Sequence, residues 1–143
     1  MRVLGLDIGT RRIGVAVSDP SGAMASPYVV LHRTGDRGRD HRAVADLVAE
    51  VEAERVVVGL PLSLNGRTGP AARQVLDEVE QLRAALPVPV ECHDERLSTV
   101  TAERTLREAG TKASARRAVI DKVAAAVLLQ SWLDGRDRDE GEM

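Results

Sequence analysis

The sequence predicts an α/β domain on a mixed five-stranded sheet, a three-strand antiparallel meander followed by two parallel strands, with helices on both faces. Two observations lead there. MRVLGLDIG, RRIGVAVSDP and SPYVVLHR follow one another within the first 33 residues, rich in Val, Ile and Leu and separated by Gly, Pro, Ser and Asp. After them, segments with helical spacing alternate with short apolar runs, the pattern of right-handed crossover units.

The three opening runs are joined by short connections, which makes them antiparallel neighbours. Val44, Leu47, Val48 and Val51 then recur at helical spacing through DHRAVADLVAEVEAE. RVVVGLPL is a continuous apolar run suited to a strand buried on both faces. Val75, Val79, Leu82 and Leu86 form the stripe of a second helix, and the Pro-bounded PVPVECHDE supplies the fifth strand. Ser98 or Thr99 can cap a third helix ending at Gly110, and a last helix is expected from about Arg116 to Leu133. Strands one, four and five are then parallel. Residues 1–134 form one domain, and the strongly polar tail GRDRDEGEM at 135–143 is expected to be disordered.

Composition narrows the function. Hydrophobic residues make up 43% and charged residues 29%, as in an ordinary globular domain. With no Phe, one Trp and one Tyr, the core must be Val, Leu, Ile and Ala, and no aromatic platform exists for stacking single-stranded bases. A formal charge of −2 gives no global attraction to a polyanion, so a nucleic-acid partner must be held by local patches or metal ions. Arg11-Arg12, RTGDRGRDHR at 33–42 and KASARRAVIDK at 112–122 concentrate cations, the 33–42 stretch reading as solvated surface. The single Cys92 excludes an internal disulfide and a Cys-based zinc site. No signal peptide is evident, and the longest apolar run, VAAAVLL, is too short to span a bilayer. A cytoplasmic protein without membrane association is expected.

One carboxylate stands out. Asp7 ends the first apolar run just where glycines begin, which suits a turn residue, an acid holding nucleotide phosphate through a metal, or a metal ligand for phosphodiester cleavage. Ligands of sheets with parallel strands bind off the carboxyl ends of those strands. Asp7, GLPL at 59–62 and HDERLST at 93–99 all lie at that edge. In the last helix, Ile120, Ala124, Ala125, Leu128, Leu129 and Trp132 share a face, with Asp121 near its centre and Arg117 one turn earlier. A carboxylate aimed at a core needs a cation, so Asp121 either pairs with Arg117 or holds a metal. Asp7, Glu95 and Asp121 are therefore the candidate catalytic and metal-ligating acids, with the adjacent Asp94 on the other side of a regular strand as the alternative ligand. Oxygen donors of this kind suit one or two Mg²⁺ or Mn²⁺ ions. Thr10, Arg12, Arg96, Ser98, Thr99, Arg117 and Lys122 are candidate phosphate contacts, Ser98 and Thr99 also being simple caps. His32 and His41 read as surface residues, and His93 adjoins the site without a role.

DIGTRRIGVAVSD, GLPLSLNGRTGPAA, HDERLST and IDKVAAAVLLQSWL, in this order and spacing, resemble the YqgF-type family of Holliday-junction-resolvase-like proteins, often described as candidate nucleases for precursor small-subunit ribosomal RNA. The resemblance spans about residues 1–134. It implies an RNase H-like fold and a metal-dependent nuclease site at Asp7, Glu95 with Asp94 beside it, and Asp121. One departure stands out: established resolvases of that fold carry an acid at the end of the fourth strand, where this chain has Gly59-Leu60-Pro61.

Three function classes follow. The first is a Mg²⁺- or Mn²⁺-dependent nuclease acting on precursor ribosomal RNA or, as the runner-up, on four-way DNA, which would require a two-fold homodimer to cut two strands symmetrically. The second is an ATP-binding protein of the sugar-kinase or actin kind, which also begins D-x-G-T but closes two such domains around its nucleotide. The third is an RNA-binding ribosome-assembly factor that acts without cleavage.

Overall fold

A computed structural model describes residues 1–63, 65–94 and 113–141, with side chains in the last segment described for 121–136. The elements are β1 (Val3–Ile8), β2 (Arg12–Ser18), β3 (Ala25–His32), α1 (Arg37–Val51), β4 (Arg55–Leu60), α2 (Pro70–Ala85), β5 (Val90–Asp94) and α3 (Ala113–Gly141). The strands form one mixed sheet in the order β3-β2-β1-β4-β5. β1–β2 and β2–β3 are antiparallel, while β1–β4 and β4–β5 are parallel.

Period-two alternation divides the strand residues between two cores. Leu4, Leu6, Ile13, Val15, Val56 and Val58 pack with Val44, Val48 and Val51 of α1 and Val75, Val79 and Leu82 of α2. Val3, Ala16 and Val57 project the other way, against Ala125, Ala126, Leu129 and Leu133 of α3. β4 is thus apolar on both faces, as its unbroken run required.

Local chemistry sets the ends of the elements. The Asp36 side chain caps α1 by accepting from the Arg39 amide at 3.3 Å, so the helix begins at Arg37, ahead of its apolar stripe. Pro70 opens α2, where its missing N–H costs nothing. α3 continues past Leu133, where its apolar stripe ends, to Gly141. A helix already nucleated and docked extends through polar residues at little cost per residue, and no Pro interrupts it. Trp132 of α3 donates its indole N–H to Glu91 at 2.7 Å, and the guanidinium groups of Arg55 and Arg136 approach its ring at 5.8 and 5.5 Å from the centroid. Among the described residues no helix is long and apolar enough to cross a membrane.

Candidate active site

Asp7 shares its parity along β1 with Val3 and Gly5, which places it on the α3 face of the sheet, at the carboxyl end of the strand. Its partner across the β1–β2 ladder is Gly14. A Cβ at Gly14 would lie 2.0 Å from the carbonyl oxygen of Asp121, so the backbone of α3 rests directly on β2 at that point. Gly5 serves the same approach farther along, where a Cβ would come within 2.8 Å of Leu129 Cβ. Two glycines therefore remove a layer of side chains and lower the helix onto the sheet beside Asp7. Arg12, two residues before Gly14 on the same face, donates from Nε to Asp121 Oδ2 at 2.6 Å. Both side chains are about a quarter exposed, 27% for Arg12 and 23% for Asp121.

β5 contributes from the far side of β4, where Gly59 pairs with His93 and Leu60 with Asp94. Glu91 and His93 face α3, the first through Trp132 and the second through a 3.0 Å contact between His93 Nε2 and Ser131 Oγ. Burial pushes the His93 imidazole below its ordinary value, against the opposing pull of Asp94 and Glu91. Asp94 alternates with them and keeps parity with Val90 and Cys92, whose side chains join the core beneath α1 and α2. It is therefore placed on the face opposite to Asp7. Thr10 is exposed in the β1–β2 turn and Lys122 is half-buried on α3. Glu95, Arg96, Ser98, Thr99 and the helix expected to end at Gly110 lie outside the described residues, as does the Arg117 side chain. Among the described residues no three His, Cys, Asp or Glu side chains are grouped to hold a metal ion. Asp7 and Asp121 are two members of the expected acidic trio, brought to one face and one edge.

The same edge carries a second feature on the α1 and α2 side. A groove of about 830 Å³ is lined by the β1–β2 turn (Ile8 to Arg11), the β3–α1 connection, Pro61 and the first turns of α2. Its floor is a buried ionic network. Arg33 donates to the Gly9 carbonyl at 2.9 Å, to Asp40 at 3.2 Å and to Glu78, and Glu78 also meets His41 Nε2 at 2.8 Å. Thr34 donates to Asp40 from both its amide and its hydroxyl. Burial raises the carboxyls of Glu78 and Asp40, but Arg33, with His41 for Glu78 and Thr34 for Asp40, outweighs it and holds both below the usual range. Burial likewise opposes the charge on Arg33, and Glu78 and Asp40 overcome it.

This network corrects the sequence expectation. His41 is buried at 3% exposure, not a surface residue, and Arg33 and Asp40 of the 33–42 stretch are not solvated. The missed signal was positional. Asp40 and His41 fall one turn before Val44 on the α1 stripe, and Glu78 falls between Val75 and Leu82 on that of α2. Polar residues in such positions must find one another.

Comparison with known proteins follows the same lines. The family described as "RuvX: Holliday junction resolvase" matches residues 1–135. A protein of Mycobacterium sp. (strain KMS) named "Putative pre-16S rRNA nuclease" is 53% identical over 136 residues, covering 94% of this chain and 80% of its own length. One of the same name from Rhodococcus opacus (strain B4) is 49% identical over 141 residues, covering 96% and 79%. Among solved structures, T. thermophilus RuvC in complex with a Holliday junction substrate superposes over 96% of both chains with a TM-score of 0.59 at 20% identity. The fold is RNase H-like, as these neighbours show.

Proposed function

The chain belongs to the RuvX Holliday junction resolvase family, and from that premise we propose a metal-dependent nuclease that cleaves structured nucleic acid, processing the 5′ end of precursor 16S ribosomal RNA in the cytoplasm. The observation that carries it is the seating of α3 on β2 at Gly14, which sets Asp121 on the face and edge that hold Asp7. Relatives about half identical, and named for the ribosomal precursor, favour RNA as substrate.

The carboxylates of Asp7 and Asp121, with Glu95 as the third acid, fit hard divalent cations, and one or two Mg²⁺ or Mn²⁺ ions are the cofactors they would hold. Such ions, when bound, activate the attacking water and stabilise the leaving oxygen. The chain's own groups do the positioning. Arg12 holds Asp121 Oδ2 toward β2 and balances its charge. Thr10 in the β1–β2 turn and Lys122, next to Asp121 in sequence, are with Arg96, Ser98, Thr99 and Arg117 the groups assigned to phosphate oxygens. Asp94, on the opposite face, supports the end of β5 and is left out of the metal set.

The family description itself favours a second reading, resolution of four-way DNA, which needs a two-fold homodimer. Both are tested together by offering a precursor 16S end and a four-way junction to the wild type, Asp7→Asn and Asp121→Asn, with Mn²⁺ or EDTA. Metal-dependent cutting of the RNA that both variants lose is the expected result. Cutting of the junction alone transfers the assignment to resolvase. Binding without cutting of either leaves a ribosome-assembly role and overturns the nuclease.

A further inference from the structure

We propose that the groove on the α1 and α2 side of the sheet edge seats a single-stranded segment of the polynucleotide flanking the scissile bond, with Arg11 and Arg37 holding its phosphates. The inference rests on the nuclease assignment and concerns residues outside the acidic site. The groove starts at Ile8, Gly9 and Thr10, the residues that directly follow Asp7, so a strand leaving the acids over the tip of β1 enters it without a gap. Its volume, about 830 Å³, falls in the range of small-molecule pockets, roughly 300 to 1,000 Å³, which admits a few nucleotides of one strand and excludes a duplex.

The charges are arranged for an anion. Asp40 and Glu78, the two acids among the described lining residues, are both held by Arg33, which spends its donors on them and on Gly9, and with Arg11 and Arg37 the lining sets three cations against two acids. Arg11 and Arg37 stand at the rim, both exposed. Arg37, at 43% exposure, has only a 3.8 Å approach to Glu78 and a 3.5 Å contact with Gln81. His32 is exposed beside them. The first turn of α2 carries no acidic residue. The 33–42 stretch thereby acquires a role: Arg33 builds the floor and Arg37 faces the ligand. No Phe, Tyr or Trp lines the groove, so binding comes mainly from phosphate contacts, is blind to base sequence and depends steeply on salt.

The test is fluorescence anisotropy of short single-stranded RNA and DNA oligonucleotides, and of a blunt duplex, in EDTA so that nothing is cleaved. The proteins are the full chain as wild type, Arg11→Gln, Arg37→Gln, the double variant and Gln74→Glu. At about 0.7 counterions released per phosphate contact on single strands, each Arg substitution should lower the log–log salt slope by about 0.7 and weaken binding about fourfold near 0.15 M salt. The double variant should lose about fifteenfold. Gln74→Glu, which places a negative charge in the lining without removing an ion pair, should also weaken single-strand binding. Duplex affinity should stay unchanged. Equal losses on RNA and DNA assign the groove to the shared phosphate backbone; losses on RNA alone assign it to RNA through the 2′-hydroxyl. Unchanged single-strand binding in folded variants, checked by thermal melting, overturns the groove. It does so without touching the nuclease, which stands if the wild type still cleaves with Mn²⁺. Absence of both binding and cleavage removes both.

Discussion

Replacing Gly14 with Ala should damage this protein more than the same change at Gly5 or Gly69. The added Cβ would stand 2.0 Å from the Asp121 carbonyl oxygen and 2.4 Å from its carbonyl carbon, where approaches below 3.0 Å are essentially never seen. Both atoms are backbone, so no rotamer change relieves the clash and α3 must retreat by about 1 Å. A gap of 0.5–1 Å forfeits roughly a quarter to a half of the dispersion contact across it. The contacts at stake are those of Ala125, Leu129 and Leu133 against Val3, Ala16 and Val57. Overpacking typically costs about 1–3 kcal/mol, and with rigid backbone on both sides we expect the upper end, about 3 kcal/mol. For a chain of 143 residues that is a fall in Tm of about 10 °C. Gly5→Ala, whose Cβ meets the Leu129 side chain at 2.8 Å and the Ala125 oxygen at 3.1 Å, should cost about half as much. Gly69→Ala, with nothing within 4 Å, should fall within about 0.5 kcal/mol of wild type. Urea titration monitored by circular dichroism gives all three. A Gly14→Ala protein as stable as Gly69→Ala would show that α3 does not rest on β2, and the placement of Asp121 beside Asp7 would go with it.

Two further outcomes follow from ion pairs. Arg12→Gln removes the cation that now occupies Asp121, so Mn²⁺, followed by electron paramagnetic resonance, should bind tighter. A hydrogen bond to a charged group contributes about 1.5–3 kcal/mol, which partial exposure of both side chains reduces to about 1 kcal/mol, or about fivefold in affinity. Weaker Mn²⁺ binding would mean that Arg12 supports the metal site instead of competing with it. Glu78 and Asp40 have lowered folded-state values, so their contribution to stability is complete above about pH 5 and is lost as the pH falls through about 4 and below. Glu78→Gln should flatten that acid limb in urea titrations at a series of pH values. It should also cost about 1.5–3 kcal/mol at neutral pH, since Arg33 keeps Asp40 and the Gly9 carbonyl but loses its charged bond to Glu78. An unchanged acid limb would remove Glu78 from the linkage.

The strand order and the place of Asp121 were legible because both follow from period: alternation, an apolar run and a polar residue on an apolar helix face. The same test applied to α1 and α2 would have exposed Asp40, His41 and Glu78. What period does not encode is a cation that reaches an acid from across the sheet. Arg12, which donates to Asp121, comes from 109 residues away, while the Arg117 side chain one turn from Asp121 lies outside the described residues. Gly5 and Gly14 lie within strands, and what they make room for is the helix above, which only the packed structure reveals.

Trp132 gives the molecule an optical handle. It is the chain's only tryptophan, it sits on α3, and its indole is hydrogen-bonded to Glu91 of β5 and approached by two guanidinium groups. Asp121 lies on the same helix about 16 Å away, at 1.5 Å per residue. A rigid helix carries displacement along its length, so whatever lifts or tilts it at the acids also changes the quenching and polarity around the indole. Emission from this one residue is thus an intrinsic gauge of helix seating, readable without a label while metal, salt or nucleic acid is titrated.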